Sequence, residues 1–405
     1  MTLRTTCPPQ ISSILPAGVD LRGLGRKVCS RCIYDETIHG ISFSSDGVCS
    51  YCDLIDSLLD QFGTSTERGA RAFDVIIDRI RAQGRRKQYD IAIGVSGGTD
   101  SSYMLWLAKE FGLRPLAVHY DNTWNTAIAT QNIRKVTAAL DIDLYTHVCD
   151  NKEADDIFRS FLLAGVPELD GSTDIALAEV MYRAAAKFDI QYVFEGHSFV
   201  AEGVSPLAKA YVDGGYIKDV HGRFGKRAMR SFPNMSFGKF LYWTTVRRIR
   251  KIRPLWYLPY CKEDARAFLT SKFEWQDYGG HHLENRMTAF HHSYYTPRKF
   301  GLDQRNNSLS ASVRSGRITR DQALEAYARP PFVEQGLLEY VLKRLRFSPL
   351  EFESLMSEPR HYYTDYRTYK RRFELCRPMF SVLASRGLVP MSFYLKYCFP
   401  SKAPA

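Results

Sequence analysis

Residues 91–107 read IAIGVSGGTDSSYMLWL. An apolar run to Val95 leads into Ser96-Gly97-Gly98, then Thr99-Asp100-Ser101-Ser102, then a stretch that reads as a helix. Two glycines at a strand-to-helix turn let the backbone approach an anion closely. The amide N–H groups opening the helix then point at that anion, and the helix dipole favours negative charge. The hydroxyls of Ser96, Thr99, Ser101 and Ser102 add donors. The turn is therefore a phosphate cradle. It lacks the lysine of GxxxxGK[ST] and the spacing of GxGxxG, which separates it from Walker A and dinucleotide-binding loops. Asp100 would repel a phosphate unless a cation lay between them, which implies Mg2+.

Around this turn the pattern alternates. Strands are predicted in YDIAIGV (89–95), PLAVHYD (115–121), DIDLYTHV (141–148) and IQYVFEGH (190–197). Helices are predicted over 101–111, 127–140, 152–163 and 174–188, preceded by an amphipathic helix over 68–84 carrying Phe73, Ile76, Ile77 and Ile80. Repeated β-α units imply an α/β fold with a doubly wound parallel sheet and helices on both faces. Ligands of such sheets bind at the carboxyl ends of the strands. Ser96, Asp121 and Gly196-His197 stand at three strand ends and are predicted to line one crevice. Beyond residue 200 the pattern weakens, with helical stretches in RDQALEAYA, VEQGLLEYVLKRL and PLEFESLMS.

The chain has 405 residues, of which 45% are hydrophobic and 24% charged, a soluble globular profile with room for two or three domains. It has no run of 18 uncharged apolar residues and no apolar signal core near its start, so a cytoplasmic protein is expected. A net charge of +11 fits polyanionic partners such as nucleic acid, nucleotide-sugars or an acidic membrane surface, and equally a merely soluble basic protein. Residues 220–262 contain no Asp or Glu and interleave eleven Lys or Arg with aromatics such as Phe232, Phe240, Trp243 and Trp256.

Cys29, Cys32, Cys49 and Cys52 form C-x2-C-x16-C-x2-C, zinc-ribbon spacing. Four thiolates close a tetrahedron around one ion and leave no place for water, so a structural Zn2+ is expected. Two disulfides or an Fe–S cluster are the alternatives, the first opposed by a reducing cytoplasm. Cys7, Cys149, Cys261, Cys376 and Cys398 are scattered and read as ordinary buried residues. The expected organisation is a flexible lead-in (1–25), a four-cysteine ribbon (26–60), a nucleotide-binding domain (61–270) and a helical substrate or partner region (271–405).

SGGTDSS resembles the S-G-G-x-D-S signature of the PP-loop pyrophosphatase superfamily, complete over Ser96, Gly97, Gly98, Asp100 and Ser101. The resemblance implies that ATP is cleaved between the α and β phosphates, with Ser96–Asp100, Ser101 and Ser102 holding the pyrophosphate. A substrate carbonyl oxygen attacks the α-phosphate, and a nucleophile such as ammonia then displaces AMP. It also implies that His119 and Asp121 in HYDNTW contact adenine and ribose, although Asp121 reads equally as a satisfied strand-end carboxylate. FEGHS resembles the superfamily's later Gly-His motif, placing Gly196 beside the nucleotide and His197 on a phosphate or the substrate. Asp174 in GSTDIALAEV is either a second Mg2+ or substrate ligand or a helix N-cap. Asp100, Asp174 and His197 are thus the candidate catalytic residues.

The ribbon ahead of this loop, together with VFEGHSF, RPLWYLPYCKEDARAFL and YGGHHLENRMTAFHHSYYTPRKFG, resembles the N-acetyl sugar amidotransferase family of bacterial surface-polysaccharide biosynthesis over residues 27 to about 330. That resemblance implies conversion of an acetamido group on a UDP-linked N-acetyl sugar to an acetamidino group, with ATP, Mg2+ and ammonia. The ammonia would come from separate glutaminase and cyclase-like subunits. This division fits a chain with Thr at residue 2 and no cysteine flanked by glycines at a nucleophile elbow. His281, His282, Glu284 and Arg286 are candidate substrate contacts, or a solvated loop-helix junction. The competing readings are a tRNA-modifying PP-loop enzyme, suited by the basic-aromatic segment, and a noncatalytic ATP-binding scaffold. A stable nucleic-acid complex is not expected on the leading reading, while proximity to a membrane surface is allowed.

Overall fold

A computed structural model describes residues 15–38, 40–204, 211–279 and 283–400. Its centre is a parallel sheet of five strands among the described residues: β1 (Ile91–Gly94), β2 (Pro115–Asp121), β3 (Leu144–Val148), β4 (Tyr192–Phe194) and β5 (Arg250–Ile252). The spatial order is β3-β2-β1-β4-β5, so the chain winds outward from β1 in both directions. Register is set by pairs such as Gly94 with Val118 and Ile93 with Phe194.

Period-2 alternation sorts the strands onto two faces. Ile91, Ile93, Ala117, Tyr192 and Phe194 pack against helices Glu67–Gly84, Thr99–Glu110, Ala127–Ala139 and Lys262–Phe273. Ala92, Leu116, Val118, Tyr120 and Val193 pack against Asn151–Ala164, Gly171–Lys187 and Gly214–Phe224. Both faces are covered, as the doubly wound reading requires. Met287, Phe290, Tyr295, Leu342 and Phe352 join this second cluster. The core therefore crosses the boundary expected near residue 270.

Three expectations change. Residues 1–14 of the anticipated lead-in, including Cys7, lie outside the described residues. The remainder is not free: the Val19 amide donates to the Tyr327 carbonyl at 2.9 Å, and Leu21 is buried against Ala323, Leu324 and Tyr327. The strand β5 comes from the basic segment, whose charge hides its role. Lys251 Nζ and Arg253 Nε pair with Glu195 at 2.6 and 3.0 Å. Burial opposes the charge on Glu195, but those two cations hold its carboxyl down to about 2. The segment's aromatics are largely internal: Phe232 is buried, Phe240 packs on Phe380 and Phe393, and Trp243 Nε1 donates to the buried Glu179 at 2.9 Å. The aromatics thus pack inward while several of the cations hold carboxylates.

Candidate active site and zinc ribbon

The glycine turn is built by conformational necessity. Gly97 adopts φ +82°, and a Cβ there would lie 2.2 Å from the Ala129 carbonyl oxygen. Trp275 Nε1 and Asn132 Nδ2 donate to the Gly97 carbonyl at 3.1 and 3.3 Å. Asn132 also exchanges hydrogen bonds with the Gln276 backbone, so two distant segments clamp the turn. Ser101 Oγ accepts from the Ser96 amide and donates to the Gly98 carbonyl. Ser96 Oγ accepts from the Gly98 amide and donates to Glu284 Oε1 at 3.4 Å. Ser102 is buried beneath the turn. Gly98 caps the helix from Thr99 without a side-chain hydrogen bond, so the N-cap itself satisfies none of the first-turn amides.

A cavity of about 520 Å³ opens beside this turn, within the range of ligand pockets of roughly 300–1,000 Å³. Ser96, His119, Asp174, Glu284, Glu168 and Lys396 are among its lining residues. The His119 ring is fixed as a neutral tautomer. Nδ1 faces the Val95 carbonyl at 2.7 Å and so carries the proton, leaving Nε2 to accept from Asn125 at 3.1 Å. Burial pushes its pKa down, in keeping with that state. Asp121 takes the satisfied strand-end role: its Oδ1 accepts from the Thr123 amide at 2.7 Å, and it is not a lining residue. Asp174 sits in the first turn of Gly171–Lys187, whose N-cap position belongs to Asp170. Asp170 accepts from the hydroxyls of Thr173 and Thr288.

Gly196 lies against the opening of the Thr99 helix, where a Cβ would meet the Asp100 carbonyl at 3.4 Å. His197 lines an adjoining cavity of about 430 Å³, which shares His292 and Gln304 with the first. Trp256 Nε1 donates to His197 Nδ1 at 3.3 Å, and burial together with Arg253 lowers its pKa to about 4. The ring is thus neutral at physiological pH.

The cation that Asp100 calls for is present in the chain itself. Lys262 Nζ bonds Asp100 Oδ2 at 2.8 Å and Glu202 at 3.4 Å, while the Tyr260 hydroxyl donates to Asp100 Oδ1. Both lay within RPLWYLPYCKEDARAFL, but nothing in the linear sequence pairs residues 160 positions apart. Asn285, Asn122 and Asn125 form a second unforeseen network that seats residue 284: Asn285 Nδ2 donates to Asn122 and Asn125 at 3.0 Å each. Of the other suggested contacts, the Arg286 guanidinium stacks over Tyr340 at 4.6 Å, away from the cavity. His281 and His282 lie outside the described residues. Asp170, Asp174 and Glu284 line the cavity and are carboxylates, the donor type that Mg2+ takes, but among the described residues only the four cysteines bring three or more metal-binding side chains together.

Glu168 is buried, accepting from the Tyr211 amide at 3.2 Å and the Tyr216 hydroxyl at 3.1 Å. Burial pushes its pKa up to about 7. A carboxyl raised in the folded state binds more protons there than in the unfolded chain. Its contribution therefore falls as pH rises through the window from about 4.5 to about 7, then levels off. Denaturant titrations should show this loss as about 3 kcal/mol, at 1.36 kcal/mol per pKa unit. Glu168→Gln should flatten that part of the profile; an unchanged slope would reject the assignment.

The four cysteines converge. Their Sγ atoms lie within 4.8 Å of one another, with 3.9 Å between Cys29 and Cys52 and 3.7 Å from Cys49 to both Cys32 and Cys52. Thiolates about 2.3 Å from a central zinc stand about 3.8 Å apart along a tetrahedron's edges. The set fits one zinc ion, with no disulfide among these cysteines. Arg314 donates to Cys52 Sγ and Cys32 Sγ at 3.3 Å each, offsetting the excess negative charge of four thiolates. Arg320 Nε donates to the Cys29 and Cys32 carbonyls, and the Tyr34 hydroxyl to Asn307 at 2.7 Å. The ribbon is thereby bolted to helix Arg305–Arg314, which lines the His197 cavity. Cys149 and Cys398 are buried, while Cys261 and Cys376 are half-buried.

Residues 284–379 match the family model described as LPS biosynthesis protein WbpG-like, C-terminal domain. An uncharacterized protein of Methanocaldococcus jannaschii, MJ1599, is 26% identical over 171 residues. The match covers 42% of this chain and 58% of that relative, so the chain spans less than two thirds of its length. Matching solved structures include NMN synthetase from Francisella tularensis, at 15% identity and TM-score 0.26, covering 54% of this chain and 90% of that one. NH3-dependent NAD synthetase from Campylobacter jejuni matches at 11% identity and TM-score 0.28, covering 71% and 95%. A chain described as a predicted subunit of tRNA methyltransferase from M. jannaschii matches at 13% identity and TM-score 0.27, covering 45% and 75%.

Proposed function

We propose that this chain, which carries the WbpG-like domain of lipopolysaccharide biosynthesis proteins over residues 284–379, is an ATP-dependent N-acetyl sugar amidotransferase. It adenylates an acetamido carbonyl of a nucleotide-linked sugar and replaces the oxygen with ammonia, giving an acetamidino sugar for surface polysaccharide such as O-antigen. One observation carries the reading. Ser96 of the phosphate cradle donates to Glu284, the first residue of the matched domain, so loop and domain share one crevice.

The chemistry balances without a side-chain nucleophile. The acetamido oxygen attacks the α-phosphorus and pyrophosphate leaves. Ammonia adds to the resulting imidate carbon, and AMP departs with the former carbonyl oxygen. The turn amides and Ser96 hold the leaving pyrophosphate, as preorganised donors that need no reorientation. Neutral His119 keeps the β2 end ordered beside the nucleoside. Neutral His197, in the adjoining cavity, has its Nδ1 occupied by Trp256 and donates from Nε2 to the acceptor sugar. Mg2+, held by Asp170 and Asp174, would neutralise phosphate charge. Ammonia is supplied by a separate glutaminase with a cyclase-like subunit.

The test uses purified protein with ATP, Mg2+ and ammonium against UDP-linked di-N-acetylated sugars and bulk tRNA. AMP formation driven by a sugar, with a product mass change of oxygen replaced by NH, supports the reading. Dependence on tRNA overturns it in favour of base modification. Asp100 acts as a positioning residue that holds Lys262 beside the cradle, so Asp100→Asn should lower pyrophosphate release about 100-fold, the scale of misplacing one preorganised electrostatic contact. Because Lys262 keeps Glu202 at 3.4 Å, the fold should persist. Unchanged pyrophosphate release in that variant would remove Asp100 from the mechanism.

A further inference from the structure

The C-terminal helices Lys370–Leu375, Arg377–Ser385 and Met391–Tyr397 bury one face and leave another open. Inside are Phe373, Phe380, Leu383 and Ala384, packed with Phe237, Phe240 and Phe393. Outside are Leu375 at 73% exposure, Met379 at 36% and Val382 at 48%. Met379, Val382 and Arg386 fall at helical spacing on one stripe, and Leu375 ends the helix just before it. Met391 and Leu395 are exposed on the following helix. Single exposed apolar residues are ordinary; a stripe of them beside a second exposed pair is not.

Charge on this region has one sign. Between Tyr366 and Pro400 the acidic residue is Glu374, and it is engaged by Lys370 at 3.7 Å. Arg367, Arg371, Arg372 and Arg386 are exposed around the stripe. Lys370 itself turns inward, donating to the Lys396, Tyr397 and Phe399 carbonyls and pinning the last helix. The aromatics that anchor protein interfaces are here committed to the interior, leaving Leu, Met and Val between arginines. Short apolar side chains ringed by arginine match an anionic bilayer surface, where apolar groups enter the acyl boundary and cations meet lipid phosphates.

We propose that the outer face of Lys370–Leu395 is a docking surface for an anionic lipid bilayer, on which the protein binds peripherally. Leu375, Met379 and Val382 insert, and Arg371, Arg372 and Arg386 contact the headgroup phosphates. The inference rests on this surface alone and stands apart from the reaction assigned above.

The test is co-sedimentation of the zinc-loaded full chain with phosphatidylcholine vesicles, and with phosphatidylcholine vesicles containing phosphatidylglycerol, at low and high salt. Binding is expected only to the anionic vesicles and should be lost at high salt. Arg371→Gln with Arg372→Gln should weaken it roughly fivefold per arginine removed. Met379→Ser with Val382→Ser should abolish binding while leaving zinc content and melting temperature unchanged. No binding to anionic vesicles, or binding that neither double variant weakens, overturns the proposal. So does a wild-type dimer that the Met379→Ser, Val382→Ser variant converts to monomer, because a second copy would then cover the face.

Discussion

Gly97→Ala is expected to abolish AMP and pyrophosphate formation and to lower the melting temperature. Two independent costs converge on this residue. At φ +82° an L-residue pays roughly 1–2 kcal/mol that glycine does not. The added Cβ also falls 2.2 Å from the Ala129 carbonyl oxygen, a backbone atom that moves only with its helix. Relieving that overlap costs about another 1–3 kcal/mol. The displaced turn would also lose the Trp275 and Asn132 bonds to its carbonyl. Gly98→Ala separates the effects. Gly98 has an ordinary φ of −74°, and its Cβ would approach only the ends of Ser96, Tyr278 and Glu284, at 3.1 to 3.2 Å. It should keep the melting temperature and still impair turnover, because those groups border the cradle. A Gly97→Ala protein with wild-type turnover would show that the turn does not hold the leaving group.

Cys49→Ser should release the zinc and weaken the candidate active site at the same time. Cys49 Sγ stands 3.7 Å from both Cys32 and Cys52, and three thiolates hold zinc far less tightly than four. Structural zinc in small ribbons supplies about 10 kcal/mol or more of folding free energy, so residues 26–60 should loosen once it is gone. The effect should travel because the ribbon is not a separate bead. Tyr34 to Asn307, the Ile33 amide to Ser310, and Arg314 and Arg320 to the cysteine knuckles all end on the region that walls the His197 cavity. Zinc content, protease sensitivity of the ribbon and AMP formation should fall together. Retained stoichiometric zinc in Cys49→Ser would count against a four-thiolate site. Full turnover by a zinc-free protein would count against the coupling.

Local information in the chain determined a good deal. The alternation of apolar runs with helical periods prescribed the parallel sheet, because strand faces and helix stripes are set within a few residues. Two Cys-x2-Cys pairs prescribed a metal knuckle, because each pair bites one ion without help from elsewhere. The SGGTDSS turn prescribed a close backbone approach at its glycines and the start of a helix. Other features depended on distance. Lys262 and Tyr260 meet Asp100 across some 160 residues. Trp275 reaches the Gly97 carbonyl across 178, and Glu284 reaches Ser96 across 188. Such pairs have no period and no spacing; the packing of Lys262–Phe273 and Trp275 onto one face of the sheet, and of the residues after 284 onto the other, brings them together. The same packing decided between alternatives that composition left open. It turned Asp121 onto its own turn, carried the aromatics of 220–262 inward, and gave several of their neighbouring cations to buried carboxylates. A residue's chemistry is written in the sequence, but burial and partners, which set its charge state and its use, belong to the fold.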